Sequence, residues 1–185
     1  MSIQHKGTVT IETLRLILRR FEEKDAQDMY DHWAGDPEVC KYLSWGPHAN
    51  VEISRKRILN WLEGYQRSNC YVWVIEDKKK GAAIGTISVE ILDDRFETCE
   101  VGYCLSKEYW SRGIMTEALM AVQHFLIYEV GYRRIQAKHD NLNTASGRVM
   151  QKAGMGYVRT DPNCGIRRDG TYYDCVVYQR ERTEE

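Results

Sequence analysis

Glu100-Val101-Gly102-Tyr103-Cys104-Leu105-Ser106, followed at once by Tyr109-Trp110-Ser111-Arg112-Gly113-Ile114-Met115-Thr116-Glu117-Ala118, decides how this chain of 185 residues is read. The first stretch is a strand and the second a short turn that opens a long helix. That helix is expected from Ile114 to Val130, where Ala118, Leu119, Val122, Phe125 and Leu126 fill a broad apolar face, the mark of a core helix. The start of such a helix presents unpaired backbone amides and the positive end of its dipole, so a strand–turn–helix junction suits an anion. Gly113 has no Cβ to block a phosphate from those amides, and Arg112 adds charge at the rim. Taken alone, the same residues also describe a helix that needs only a small residue in its first turn. The junction is not a Walker loop, because no Gly-Lys-Ser/Thr follows, and it holds one of the three glycines of a dinucleotide fingerprint.

Outward from this junction the chain divides into elements. Leu14, Leu16 and Leu18 alternate with Arg15, Ile17 and Arg19, which predicts a first strand with one apolar face. Helices are expected from Glu23 to Ala34, stopping before Gly35-Asp36-Pro37, and from Val51 to about Gln66, with Ile53, Ile58, Leu59, Leu62 and Tyr65 at helical spacing. Tyr71–Ile75, Ala83–Val89 and Glu100–Leu105 read as three strands. The turns Asp77-Lys78-Lys79-Lys80-Gly81 and Asp93-Asp94 join them into an antiparallel trio. After the long helix come a short strand Arg134–Ala137 and a helix from Thr144 to Ala153, with Asn143 as N-cap and Gly154 just past its end. Strands near Gly156–Val158 and Tyr172–Tyr178 close the chain, and long loops are expected at Ser44–His48 and Asp161–Gly165. Strands followed by strand–helix–strand–helix–strand–strand make an α+β plan with a mixed, mostly antiparallel sheet flanked by helices.

Composition narrows the function. A length of 185 residues suits one domain, expected over 1–185 with a core at about 12–180. Formal net charge is -1, without the basic excess that phosphate-driven nucleic-acid binding needs, so no nucleic-acid partner is expected. No apolar run approaches the length of a membrane span, and Met1-Ser2-Ile3-Gln4-His5-Lys6-Gly7 lacks the apolar stretch of a secretory signal, so a cytoplasmic protein without a membrane partner is expected. The six cysteines, Cys40, Cys70, Cys99, Cys104, Cys164 and Cys175, form no Cys-x-x-Cys pair and read as reduced thiols. Neither they nor His5, His32, His48, His124 and His139 are spaced as metal ligands, so no metal is expected. Trp33, Trp45, Trp61 and Trp73 read as core, and Lys78-Lys79-Lys80 as a solvated turn.

Several ordered blocks resolve the ambiguity of the junction. Trp110 to Met115 is similar to the Gln/Arg-x-x-Gly-x-Gly/Ala loop of the GNAT acyltransferase superfamily, with Gly113 on the central glycine and Trp110 and Met115 departing at the outer positions. Tyr109-Trp110 through Thr116-Glu117-Ala118 resembles the RimJ/RimL-like branch, the ribosomal-protein N-acetyltransferases. Asn143-Thr144-Ala145-Ser146, then Lys152-Ala153-Gly154-Met155-Gly156-Tyr157, resembles the family's Asn-x-x-Ser and Lys-x-Gly-Phe blocks, with Met155 in place of Phe. Thr13-Leu14-Arg15-Leu16 through Lys24-Asp25-Ala26 resembles the branch's first strand and helix.

The resemblance implies a GNAT fold and direct transfer of acetyl from acetyl-CoA to a primary amine. It places the CoA diphosphate on amides of Ser111, Arg112, Gly113, Ile114, Met115 and Thr116, and the pantetheine arm along Tyr103, Cys104 and Leu105, where a strand amide faces the acetyl oxygen. Only a neutral amine attacks, so a base is needed. The resemblance offers Glu100, which is also readable as a solvated strand-edge residue, with Glu90 second because it is less tied to the loop. The tyrosine that many members place seven residues after the Asn is Met150 here; RimJ/RimL-like members offer a serine at the position of Ser146, so the resemblance implies Ser146 as the acid for the thiolate, with a plain helix-facing hydroxyl as the other reading. Asn143 caps its helix, contacts pantetheine, or both. The loop with Trp45, Pro47 and His48 falls where members bind the acceptor. The branch points to a protein or peptide N-terminal α-amine, such as a ribosomal protein's. A small-molecule amine and a CoA-binding module without turnover remain as alternatives, and the oligomer is a monomer or a homodimer.

Overall fold

The computed structural model describes residues 3–183, so Met1, Ser2, Glu184 and Glu185, the ends of the expected domain, lie outside it. The chain forms two compact units. The first contains residues 5–89 and 103–114, and the second contains residues 3–4, 90–102 and 115 onward.

In the first unit, β1 (Ile11–Glu12), β2 (Leu16–Arg19), β3 (Val72–Asp77) and the start of β4 (Ala82–Asp93) pair in sequence order, each antiparallel to its neighbour. The end of β5 (Thr98–Leu105) lies beside β4, where Ser106 N–H donates to the Ile84 carbonyl at 2.8 Å. The alternation expected around Leu16 and Leu18 holds, since both are fully buried. It does not reach Leu14, which is 90% exposed because residues 13–15 turn between β1 and β2 rather than extend a strand.

Helix α1 (Asp25–Met29) continues as a π-helical turn over Tyr30–Ala34. Helix α2 (Val51–Gly64) is capped by Asn50, whose side chain accepts from Ile53 N–H at 3.3 Å. Met29, Trp33, Ile58, Val74, Ala83 and Cys104 meet in one core, with Trp45 and Trp61 packed at its border. Of the apolar positions expected to face inward on α2, Ile53 and Leu59 point out at 41% exposed each. The inward stripe is narrower than the spacing implied because Ser54 and Gly64 share it. Arg19 ties β2 to α1 and β3 through paired bonds to Asp25 (2.8 and 2.9 Å) and one to Glu76 at 2.6 Å. Hydrogen bonding to the nearly buried Asp25 carboxylate raises the Arg19 pKa further, so the guanidinium stays charged.

In the second unit, β5 pairs in parallel with β6 (Arg134–Asp140), β6 pairs antiparallel with β8 (Tyr172–Glu181), and β7 (Gly156–Ile166) forms the edge against β8. The sheet is therefore mixed. Helix α3 (Ile114–His124) continues as a π-helical turn to Val130 and buries Ala118, Leu119, Val122, Phe125 and Leu126, as the apolar face requires. Helix α4 (Thr144–Lys152) is followed by Gly154 at φ +81°.

Two expectations fail in this region. Asp161–Gly165 is not a free loop but lies within β7, whose pairing with β8 slips between Asp161 and Gly165. A bulge of this kind accommodates Pro162, which has no N–H to give to a ladder, on an edge strand. Cys164 and Cys175 are not free thiols. A disulfide joins them across β7 and β8, with Cα atoms 5.7 Å apart. The remaining cysteines, Cys40, Cys70, Cys99 and Cys104, are thiols.

Candidate active site

The anion-binding candidate is built on the end of β5. After Leu105 the chain makes a helical turn at Lys107–Tyr109, and Trp110 folds back so that its Nε1 donates to the Leu105 carbonyl at 2.9 Å. This bond joins the expected pantetheine strand end, Tyr103–Leu105, to the expected diphosphate loop. Ser111 at φ +59° and Gly113 at φ +71° flank Arg112, an alternation that turns successive amides to one side as an anion nest. Ser111 adopts this conformation at a cost of about 1–2 kcal/mol for a residue with a Cβ, a strain of the kind stored at functional sites. Gly113 lies open, and the nearest atom to an added Cβ is Arg15 Nη2 at 3.6 Å. Helix α3 begins at Ile114, and Met115 and Thr116 continue its first turn, whose amides have no partner within the helix.

Arg15 is the residue that sequence reasoning missed here. Its Nη1 donates to the Arg112 carbonyl at 2.9 Å, holding the loop from the β1–β2 turn. In the sequence it stood only as a polar alternate in a strand, and nothing in that pattern signals a partner 97 positions away.

Gly85 lets β4 and the end of β5 come close together. A Cβ on Gly85 would come within 2.5 Å of the Cys104 carbonyl oxygen, so the two strands approach at this point in a way that only glycine permits.

The carboxylates belong to the second unit. Glu100 is 14% exposed, and its Oε1 pairs with Lys138 Nζ at 2.9 Å on the neighbouring strand β6. The Glu90 carboxylate lies over Gly102, in the space a side chain there would fill. Gly102 therefore makes room for a carboxylate from β4, a role the sequence did not disclose. Glu100 and Gly102 alternate with the buried Cys99 and Val101, so both carboxylates are associated with the same face of β5.

At the start of α4, Asn143 accepts from Ser146 N–H at 3.4 Å, so the capping role expected of it is present. Beside it, His139 is 9% exposed. Its Nδ1 lies 2.7 Å from the Asp140 carbonyl, which can only accept, so Nδ1 carries the proton. Nε2 has no hydrogen-bond partner and faces Gly147 of α4, where a Cβ would stand 2.6 Å away.

The first unit also holds a cavity of about 420 Å³ lined by Asp31, His32, Asp36, Ser106, Lys107 and Glu108. His32 Nδ1 donates to the Ala83 carbonyl at 2.7 Å, and Lys107 pairs with Glu38. His48, in the loop expected on the acceptor side, bonds Ser54 Oγ at 2.8 Å beside the Trp45 ring, and burial lowers its pKa below the usual imidazole value. Among the described residues there is no group of three or more His, Cys, Asp and Glu side chains that could hold a metal, and no helix is long and apolar enough to cross a membrane.

Residues 15–156 match the family model for the acetyltransferase (GNAT) domain, a span that draws on both units. The uncharacterized N-acetyltransferase p20 of Bacillus licheniformis is 30% identical over 79% of this chain and 84% of its own. The ribosomal protein uS5-alanine N-acetyltransferase of Escherichia coli is 23% identical over 82% of this chain and 81% of its own. Among solved structures, RimL, a ribosomal alpha-N-protein acetyltransferase in complex with coenzyme A, superposes with a TM-score of 0.83 at 20% identity, covering 94% of this chain and 98% of RimL.

Proposed function

The chain belongs to the GNAT acetyltransferase family and is an N-acetyltransferase, and from that premise we propose that its acceptor is the α-amine of a protein or peptide N-terminus. The observation that carries this reading is the similarity to the uS5-alanine enzyme over four-fifths of both chains. Amine chemistry supports it. An α-amine has a pKa near 7.7–8.0, so roughly a tenth is neutral at pH 7, whereas a lysine near 10.4 is neutral in less than about one part in a thousand.

Acetyl-CoA is the cosubstrate in this reading. Its diphosphate rests on the amides of Ser111, Arg112, Gly113, Ile114, Met115 and Thr116, and its pantetheine runs along Tyr103, Cys104 and Leu105. Glu100 takes the proton from the attacking amine, exchanging part of its bond to Lys138 for the ammonium as it does so. The amine nitrogen then bonds to the acetyl carbon and the carbon–sulfur bond breaks; Ser146 donates its hydroxyl proton to the departing thiolate and regains one from the adduct nitrogen, which leaves as the neutral amide. Glu90, placed over Gly102, is the alternative base. Asn143 both caps α4 and contacts pantetheine. One domain built from both units, working in the cytoplasm as a monomer or homodimer, completes the reading.

A small polycationic amine is the second reading, and the cavity favours it. Asp31, Asp36 and Glu108 line that cavity, and carboxylates there suit ammonium groups. Competition at equal concentration among free peptides, N-terminally blocked lysine peptides, polyamines and aminoglycosides decides between the two. Fastest turnover of free peptides supports the α-amine, and fastest turnover of polyamines or blocked peptides replaces it.

A further inference from the structure

Residues Asp140 to Asn143 carry the chain from β6 into α4, and one carboxylate organises them. Asp140, the last residue of β6, accepts the Leu142 N–H on Oδ1 at 2.8 Å, and its carbonyl accepts the Asn143 N–H at 2.7 Å. Asn141 N–H donates to the Asp174 carbonyl of β8 at 3.0 Å. Asn143 then opens α4 and takes the Ser146 N–H on its side chain. The direction in which α4 starts, and with it the place of Ser146, therefore follows from how the Asp140 carboxylate is turned.

Arg167 fixes that carboxylate. The Asp140 side chain is 1% exposed, and Arg167 reaches it from the β7–β8 turn with two parallel bonds, Nε to Oδ2 at 2.8 Å and Nη2 to Oδ1 at 2.7 Å. A fork of this kind holds the plane of a carboxylate, where a single bond leaves it free to rotate. Nη2 also donates to Asn141 Oδ1 at 3.3 Å, and Nη1 to the Tyr172 carbonyl at 3.2 Å and to Thr171 Oγ1 at 3.4 Å. The turn that carries Arg167 is closed by its own bonds, Arg167 N–H to the Thr171 carbonyl at 2.8 Å and Gly170 N–H to the Arg167 carbonyl at 2.9 Å. All of these residues belong to the second unit.

The pair also pins the hairpin, but stability alone is a poor reason for it. Taking two charges out of water offsets much of their attraction, and well-packed apolar side chains often do as well. What the fork adds is direction. The guanidinium N–H groups meet five acceptor atoms, a set that the three N–H groups of a lysine cannot copy.

We propose that Arg167 is a positioning residue for acetyl transfer: its fork fixes the Asp140 carboxylate, the turn that follows and so the place of Ser146 at the start of α4. The proposal rests on the reading that Ser146 gives its proton to the departing thiolate, and the test separates the two.

Thiol release from acetyl-CoA is followed with whichever of the peptides, polyamines and aminoglycosides above turns over fastest. The wild type is compared with Arg167→Lys, Ser146→Ala and the variant carrying both changes. The neutral pair Asp140→Asn/Arg167→Gln leaves no unpaired buried charge, and it carries the test should Arg167→Lys fail to fold in thermal melts. Misplacing a reacting group by about 1 Å costs up to about 100-fold in rate. Arg167→Lys and the neutral pair are accordingly expected to lower kcat about tenfold, with the KM for acetyl-CoA within about threefold of wild type. Ser146→Ala is expected to lower kcat by at least about tenfold. Once the Ser146 hydroxyl is gone, Arg167→Lys has little left to displace, so the combined variant stays within about twofold of Ser146→Ala. Wild-type kcat in a folded Arg167→Lys or a folded neutral pair overturns the proposal and leaves the Ser146 reading standing. So does a combined variant that multiplies the two single losses, the mark of a general structural defect. If neither Arg167 variant folds, the pair serves stability and the proposal falls. Ser146→Ala with wild-type kcat, or wild-type protein that acetylates none of these amines, overturns the reading and the proposal together.

Discussion

Gly113→Asp puts the proposed diphosphate loop to its sharpest test. The backbone there has φ +71°, so any side chain costs about 1–2 kcal/mol, at the low end for Asp, which tolerates the left-handed region. Space is not the obstacle, because an added Cβ meets only Arg15 Nη2, at the ordinary contact distance of 3.6 Å. The variant is therefore expected to fold with a small loss of stability. For the ligand the effect is larger. A carboxylate about 5 Å from one phosphate charge, at an effective dielectric of about 20, repels it by roughly 3 kcal/mol, or more than about 100-fold in affinity. Gly113→Ala carries the backbone strain without the charge, so the difference between the two variants isolates the electrostatic part. Calorimetry with CoA on both, beside thermal melts, is the assay. A folded Gly113→Asp with wild-type CoA affinity, or equal affinity losses for Ala and Asp, refutes the reasoning.

Three further outcomes are expected. Glu100→Gln lowers kcat at neutral pH by about 100-fold and flattens the acidic limb of the rate profile, with CoA affinity nearly unchanged. If Glu90→Gln does this and Glu100→Gln does not, the base is the carboxylate over Gly102. Gly147→Ala drives a methyl to 2.6 Å from the buried His139 Nε2 and is expected to cost about 1–3 kcal/mol in denaturant melts, and an unchanged midpoint rejects that packing. Burial lowers the folded-state pKa of His48, so the unfolded chain binds more protons as pH falls below about 6.5, and stability drops from there until pH passes the folded value. His48→Gln removes that component, and urea melts between pH 7 and pH 5 show a smaller acid loss if the sign is right.

Local chemistry alone placed most of the elements. The apolar face of α3 fixed a core helix because a period of 3.6 residues admits few alternatives, and the turn residues around Asp77–Gly81 and Asn143 marked their ends. The turn at Gly113 into a helix was legible because a glycine and a helix start are both local features. Tertiary structure decided what depends on residues far apart in the chain. Arg15 on the loop carbonyl, Lys138 on Glu100, Glu90 over Gly102 and the disulfide from Cys164 to Cys175 each join segments whose spacing carries no period. The same holds for Lys78-Lys79-Lys80. A run of lysines in a hairpin turn reads as solvated, because the sequence records which residues are charged but not that Lys80 stands over the Tyr109 ring.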